Sequence, residues 1–410
     1  MKNVLKQEAL ALNGDEAAAY AAKQSDVDIV AAYPITPQTI IVEKFSEYVA
    51  NGEVETEFVC TESEHSALTA CLAASVTGAR TFTASASAGL ALMHEMLFVT
   101  SGCRAPVVMA IANRALSAPL NIHGDHSDTM AQRDSGWIQI YVENAQEVYD
   151  SVIQAFRIAE NPEVLLPVIV GLDGFTLSHS LENVQTLSDD AVKKFVGTRQ
   201  IPLVTTHEGK RVPFRLDPEN PMTMGPVAFP NYYFEFKRQQ EEAMGNALKV
   251  IQQVNEEYAE LTGRSYGDGL LDLYCLDDAE VAVVCLGSTA GTVKTVVDEL
   301  REEGVKAGLL RIRAFRPLPV DGIVKALEKV EAVAVMDKST SFGGSGGPVF
   351  HEVRHVLYDL PTHPYVLNYV YGLGGRDTKS SQIRGIYEDL QRIVQTKHVE
   401  TLVNYVGLRE

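Results

Sequence analysis

The 410-residue chain is 46% hydrophobic and 22% charged, a globular balance with enough apolar side chain for large cores and a length that suggests about two or three domains. Its 54 acidic residues outweigh 35 basic ones, and the formal charge of −19 argues against nucleic acid or an anionic membrane as the main partner. No apolar run reaches the roughly 18 residues of a membrane span, and Met1-Lys2-Asn3-Val4 opens no apolar signal core, so a cytoplasmic home is expected.

Up to about residue 180, apolar runs alternate with helical patterns. Strands are predicted at Val27–Ala32, Glu57–Cys60, Thr81–Ala84, Pro106–Ala112, Trp137–Tyr141 and Leu165–Gly171. Helices are predicted at Asp15–Lys23, Thr39–Asn51, Glu64–Thr77, Gly89–Thr100 and Ala145–Ile158. Such alternation implies a parallel sheet with helices on both faces. From about 181 to 232, prolines at 202, 213, 218, 221, 226 and 230 interrupt the chain and periodicity is weak, which reads as an irregular connector. A long polar helix follows, from Tyr233 to Leu261. Alternation then resumes, with strands at Val281–Leu286, Gly308–Arg313, Ala332–Met336 and Tyr365–Tyr369 and helices at Thr289–Glu303, Val320–Val330, Gly347–Tyr358 and Ser380–Thr396. The expected division is an α/β domain over 1–232 that includes the connector, a linking helix and turn over 233–276, and a smaller three-layer α/β domain over 277–410.

Tyr33-Pro34-Ile35-Thr36-Pro37 joins a predicted strand to a predicted helix. Each proline fixes its own φ and steers the residue before it out of the helical region. Thr36 is thereby held at the carboxyl end of a strand, where open α/β sheets place ligands; an ordinary rigid turn is the alternative. Glu62 and Glu64 open an alanine-rich helix, where the helix dipole favours a carboxylate. Simple capping by Thr61 or Ser63 would place an acid there equally well. The small residues Ala67, Ala70, Ala73 and Ala74 would let a flat ligand or another subunit approach closely.

Arg114 follows another predicted strand and could grip a carboxylate through two parallel hydrogen bonds, or pair with one of the many acids. His123, Asp125, His126 and Asp128 are metal-ligand types, but neighbours this close in one loop rarely converge on a single ion, and a hydrogen-bonded active-site loop is the reading adopted. Gly267-Asp268-Gly269 reads as a turn. Gly343-Gly344-Ser345-Gly346-Gly347 precedes a helix and lacks the Lys-Ser/Thr of a P-loop; a flexible loop is expected over an anion cradle. Cys60, Cys71, Cys103, Cys275 and Cys285 form no Cys-x-x-Cys pair, and read as small core residues of a reducing compartment.

Ala32-Tyr33-Pro34-Ile35-Thr36-Pro37, Glu62-Ser63-Glu64-His65-Ser66-Ala67, Thr81-Phe82-Thr83-Ala84-Ser85 and Asn113-Arg114-Ala115-Leu116-Ser117-Ala118-Pro119 together resemble the α subunits of pyruvate:ferredoxin oxidoreductases, and more broadly the 2-oxoacid:ferredoxin oxidoreductases. The resemblance continues through Gly124–Asp128, Leu172–Phe175, Leu261–Tyr266 and Arg313–Pro317, and covers nearly the whole chain. It implies a pyrimidine-binding thiamine diphosphate domain followed by a transketolase C-terminal-like domain. Magnesium, the diphosphate-binding domain and [4Fe-4S] clusters would lie on partner subunits of β, γ and δ type, so the chain alone would be inactive. By the same resemblance Glu64 meets the aminopyrimidine ring, Arg114 binds the 2-oxoacid carboxylate, Thr36 contacts substrate, and Pro34 and Ile35 line the cofactor. The implied reaction decarboxylates a 2-oxoacid, passes two electrons singly to iron–sulfur clusters and ferredoxin, and transfers the acyl group to coenzyme A. The uncharged Thr36 favours pyruvate, ahead of 2-oxoglutarate or 2-oxobutyrate. Non-oxidative thiamine enzymes share these domains, but pair them with a complete diphosphate motif that this chain lacks.

Overall fold

The structure, a computed structural model, describes residues 4–409. The first part of the chain forms β1 (Glu8–Leu12), α1 (Gly14–Gln24), β2 (Ile29–Ala32), α2 (Thr39–Ala50), β3 (Glu57–Cys60), α3 (Glu64–Thr77), β4 (Thr81–Ser85), α4 (Ser87–Leu92), α5 (His94–Gly102), β5 (Val108–Asn113), α6 (Ser127–Met130), β6 (Ile138–Tyr141), α7 (Ala145–Ala159) and β7 (Val168–Asp173). Then come β8 (Glu182–Thr186), α8 (Asp189–Val196), β9 (Leu203–Thr205), β10 (Arg211–Pro213) and the long α9 (Pro230–Thr262). The last part forms β11 (Leu271–Tyr274), β12 (Val281–Cys285), α10 (Thr289–Glu302), β13 (Ala307–Ile312), β14 (Ala314–Arg316), α11 (Val320–Leu327), β15 (Ala332–Asp337), α12 (Pro348–Val356), β16 (Tyr365–Val370), α13 (Ser380–Thr396) and β17 (Val403–Tyr405).

Two large sheets carry the fold, as the alternation implied. The first has the order β14-β6-β7-β5-β4-β2-β3, and the second β11-β13-β12-β15-β16-β17. Every neighbouring pair is parallel except β14 on β6 and β11 on β13. Central strands such as β5, β7 and β15 are buried along their whole length, which is why they read as unbroken apolar runs. The helices show conventional start signals. Asn13 and Glu16 cap α1 reciprocally, Ser63 caps α3, and Gly78 ends α3 at φ +111°, a left-handed position that favours glycine. One apolar cluster runs through both sheets, from Ala17 and Ile140 to Leu310, Phe315 and Phe350.

Several elements differ from the sequence expectation. The predicted helix Gly89–Thr100 divides at Met93, whose φ −75° and ψ −4° tighten the turn between α4 and α5. The connector holds regular structure: β8 pairs antiparallel with β1, α8 is capped by Ser188, and β9 and β10 form a hairpin. Pro230 does not precede the long helix but starts it, at a position where its missing N–H costs nothing. β14, only three residues long, leaves the second half of the chain to become the edge of the first sheet. The opening of α9 is strongly exposed. Phe229, Tyr232, Tyr233 and Phe236 all face outward, and Phe234 is 77% accessible.

Candidate active site

In the first sheet β3, β2, β4 and β5 are consecutive neighbours and run parallel, so their carboxyl ends share one edge. Three of the four deliver predicted residues there, and β4 adds Ser85. Pro34, Ile35 and Thr36 follow β2, Glu64 follows β3, Ser85 closes β4 and Arg114 follows β5. The chain order changes direction between β2 and β4, the kind of switch point where parallel sheets open a crevice.

The turn after β2 is held from inside. The buried Gln38 side chain accepts from the Ile35 N–H at 3.1 Å and donates to the Ala84 carbonyl at 2.9 Å, which ties the turn to β4. The Thr36–Pro37 peptide bond is cis. Thr36 is exposed and Ile35 half-buried. The structure joins this turn directly to Arg114. Nη1 of Arg114 donates to the Thr36 carbonyl at 2.9 Å, and Nε donates to the Asn121 carbonyl at 2.8 Å. Arg114 is 7% exposed, and no carboxylate pairs with its guanidinium among the described residues. The ion-pair alternative therefore gives way to a guanidinium positioned by two backbone carbonyls, with the two N–H groups of Nη2 unspent.

Asp128, fully buried, fixes this arrangement from behind. Its Oδ2 accepts from the Arg114 N–H at 2.9 Å and from the Ser87 N–H at 3.0 Å, and its Oδ1 accepts from Asn113 at 2.8 Å. Burial raises its carboxyl to about 6, against the pull of these donors. One side chain thus ties the residue after β5 to the start of α4.

Two residues further along α4, Gly89 lies against Glu64. A Cβ at Gly89 would sit 2.5 Å from Glu64 Oε1 and 2.5 Å from the Ser85 hydroxyl, so this close approach requires glycine. Capping does not use Glu64. The Ser63 hydroxyl accepts from the Ser66 N–H at 3.2 Å, and exposed Glu62 accepts from the Ser66 hydroxyl. The Glu64 carboxyl, 6% exposed, has neither a hydrogen-bond nor an ion-pair partner among the described residues. A largely buried carboxyl group without a partner in the chain is normally matched to one from outside.

The loop with metal-ligand residues is hydrogen-bonded within the protein, to the end of β7 in the first sheet and to residues of the second half. His126 Nε2 bonds Asp173 Oδ1 at 2.9 Å, and Asp173 also pairs with Lys338 at 3.1 Å and accepts from the Ser288 N–H and hydroxyl. Burial would raise the Asp173 carboxyl, but the Lys338 ammonium, His126 and the Ser288 hydroxyl hold it well below the usual carboxylate range. Asp125 accepts from the Gly374 N–H at 3.1 Å, and Asn121 donates to the Gly374 carbonyl at 3.0 Å. The loop is a latch between the two halves, one end of which positions Arg114.

The first part of the glycine-rich loop is exposed, and the helix amides behind it already have a carboxyl group of their own. Asp337 accepts from the Val349 and Phe350 N–H groups at 2.9 and 3.1 Å, and Gly347 donates to Asn368 at 2.9 Å. A Cβ at Gly347 would sit 2.5 Å from Asp337 Oδ2. Burial lifts the Asp337 carboxyl to about 7 despite those donors. An unfolded aspartate titrates near 3.9, so the native state holds this proton more tightly and the associated stability is lost as pH rises from about 4 to 7. Relative to the unaltered chain, Asp337→Asn should therefore gain in melting temperature across that window. A difference curve that stays flat with pH would refute the assignment. Gly267–Gly269 is the expected turn, with Asp268 Oδ1 accepting from the Leu270 and Leu271 N–H groups.

Sequence reasoning missed Gln38, Ser85 and Gly89 as parts of this site, and had Asp128 only as one member of a hydrogen-bonded active-site loop. Ser85 and Gly89 lay inside or beside a motif with the strand-end signal, but a serine or glycine there is equally at home in a turn.

Comparison with known proteins gives the family and a shared fold. Residues 20–256 match the family model described as pyruvate flavodoxin/ferredoxin oxidoreductase, thiamine diphosphate-binding, and residues 279–383 match pyruvate:ferredoxin oxidoreductase core domain II. The chain is 51% identical over 399 residues to pyruvate synthase subunit PorA of Methanocaldococcus jannaschii, covering 97% of this chain and 98% of that one. It is 48% identical over 403 residues to the subunit of the same name in Thermotoga maritima, covering 98% and 99%. Among solved structures, 2-oxoglutarate:ferredoxin oxidoreductase from Magnetococcus marinus, with 2-oxoglutarate, coenzyme A and succinyl-CoA bound, superposes at a TM-score of 0.71 and 19% identity. That match covers 94% of this chain and 65% of the other, and shows a shared fold.

Proposed function

The chain belongs to the pyruvate flavodoxin/ferredoxin oxidoreductase family, and from that membership we propose that it supplies the pyrimidine-side half of a thiamine diphosphate site in a pyruvate:ferredoxin oxidoreductase. The observation that carries the reading is the buried Glu64 carboxyl, partnerless within the chain and seated over a glycine that leaves it room. That donor set fits an aminopyrimidine edge. Bound there, thiamine diphosphate supplies the carbanion sink for decarboxylation of a 2-oxoacid. Glu64 would hold the aminopyrimidine through its carboxyl, where it could hold or give up a proton as a general acid–base. Pro34 and Ile35 line the cofactor. Arg114 presents its free Nη2 to the substrate carboxylate, with its plane set by the Thr36 and Asn121 carbonyls. The Thr36 hydroxyl faces the small end of the substrate and offers no charge to a second carboxylate, which favours pyruvate.

In this reading the other wall of the site, magnesium and the [4Fe-4S] clusters belong to β-, γ- and δ-type subunits of one cytoplasmic complex, with ferredoxin as electron acceptor and coenzyme A as acyl acceptor. The exposed aromatic side chains of Phe229–Phe236 support a subunit role, since apolar surface of this kind is usually covered in an assembly. No helix among the described residues is long and apolar enough to cross a membrane.

The test is the assembled complex assayed with pyruvate and with 2-oxoglutarate, unaltered and as Arg114→Lys. Pyruvate should have the higher kcat/KM. Loss of the planar fork should raise its KM by roughly 10- to 100-fold. Preference for 2-oxoglutarate would overturn the substrate, and an unchanged KM would return Arg114 to a structural role.

A further inference from the structure

Ser85 stands at the carboxyl end of β4, fully buried, and its hydroxyl has no hydrogen-bond partner. Buried hydroxyls are nearly always paired, so an unpaired one at a site edge points to a partner supplied when the site is complete. Along the strand, Thr83 and Ser85 share a face. The Thr83 hydroxyl is satisfied by the Ala31 carbonyl at 2.7 Å, whereas Ser85 reaches past the end of β2 toward α3 and α4. Its oxygen and Glu64 Oε1 each lie 2.5 Å from the point where a Gly89 Cβ would stand. The two oxygens are therefore no more than twice that distance apart, with only a glycine between them. Both groups are buried, neither has a partner in the chain, and they converge on the same small space.

We propose that Ser85 is a positioning residue for Glu64: in the completed site its hydroxyl donates to the Glu64 carboxyl and sets which carboxyl oxygen is presented to the aminopyrimidine. The inference rests on the reading of Glu64 as the pyrimidine partner. Gly89, without a side chain, keeps the path between the two oxygens open. The hydroxyl remains protonated throughout; it donates one hydrogen bond and exchanges no proton. Without it, the carboxyl still reaches the ring but loses its second anchor and one stabilising donor.

The hydroxyl has no partner in the isolated chain, so removing it should leave the chain's own stability unharmed while weakening the loaded site. A purely structural serine would show the opposite pattern. The experiment uses the complex assembled with its partner subunits, with two readouts: thiamine diphosphate affinity, and the circular-dichroism band of the bound aminopyrimidine followed against pH. Ser85→Ala should raise the Kd for thiamine diphosphate about tenfold, the scale of one charge-assisted hydrogen bond. The pH midpoint of the band should move upward, because a carboxylate that loses a donor is less stabilised. The melting temperature of the chain should stay level or rise. Thr81→Val is the control. Thr81 is an equally buried, equally unpaired hydroxyl at the opposite end of the same strand, and its removal should change neither readout.

Glu64→Gln separates the two levels of the argument. If it abolishes the pH response of the band while Ser85→Ala leaves affinity and midpoint unchanged, the positioning role is overturned and the proposed function stands. If Glu64→Gln leaves the pH response intact, the reading of Glu64 falls, and the role of Ser85 with it.

Discussion

Glu64→Ala in the assembled complex is expected to lower turnover by roughly two to four orders of magnitude, the range lost with a positioned general acid–base. The effect should be confined to chemistry and cofactor binding. Helix α3 keeps its cap, because the Ser63 hydroxyl and not Glu64 accepts from the Ser66 N–H in its first turn. The carboxyl makes no bond within the chain that its removal would break. A buried carboxyl without a partner is an unfavourable feature of the isolated subunit, so the alanine variant should melt at or above the temperature of the parent. Higher stability with lost activity is the pattern of a group retained for function. Glu62→Ala is the matched comparison: Glu62 is exposed, bonds only Ser66, and should leave turnover within about twofold, as surface changes usually do. Full decarboxylation by a complex carrying Glu64→Ala would remove the carboxyl from the mechanism.

The strands at the site edge were legible because parallel strands covered on both faces read as continuous apolar runs, and β5 is buried from Val108 to Asn113. The turn at Thr36 was legible because two prolines constrain it whatever surrounds them. What remained open were choices that depend on partners distant in sequence. Arg114 could not be assigned from its neighbours, since two backbone carbonyls, one from a different strand end, hold it. The residues of 121–128 have the same chemistry for a metal as for a latch, and only the approach of Asp173, Lys338 and Gly374 decides between them. Cys60 and Cys275 were expected in the core and are exposed; each belongs to or follows an edge strand, β3 or β11, where one flank is unpaired. The Leu261–Tyr266 motif, a mark of the family, turns out to anchor the end of α9. Arg264 clasps buried Asp150 at 2.7 and 2.8 Å, and the Tyr258 and Tyr266 hydroxyls donate to the same carboxylate. β14 was illegible because nothing local stabilises three residues as a strand; its place depends on charges buried on either side of the junction between sheets.

Those charges give the largest expected loss of stability. Glu147 and Arg313 are fully buried and Arg311 nearly so. Glu147 Oε1 accepts from Arg313 Nε at 2.8 Å, while Oε2 accepts from Arg311 and from the Glu143 N–H. Arg313 is further held by the Ser151 hydroxyl at 2.9 Å and the Gly269 carbonyl at 2.7 Å. Arg313 thus has Glu147 as its carboxylate, while Arg311 shares it and also pairs with Glu143 at 3.2 Å. Glu147→Ala would leave Arg313 without a carboxylate in a dry interior, and breaking a buried pair from one side costs about 3–5 kcal/mol. Replacing Lys306 by alanine in the exposed pair Lys306–Glu280, 2.8 Å long and half open to water, should cost far less. The damage from Glu147→Ala should be local at first. The Tyr141 N–H donates to the Arg313 carbonyl at 2.8 Å, where the chain enters β14. Its hydrogen-exchange protection should therefore fall before that of β5 or β15, which lie deeper in their sheets. Exchange at Tyr141 unchanged, with a loss below about 1 kcal/mol, would show that the apolar cluster alone seats β14. The expected result instead makes the paired arginines the reason that a strand from the second half closes the sheet whose other strands bear Glu64 and Arg114 at their carboxyl ends.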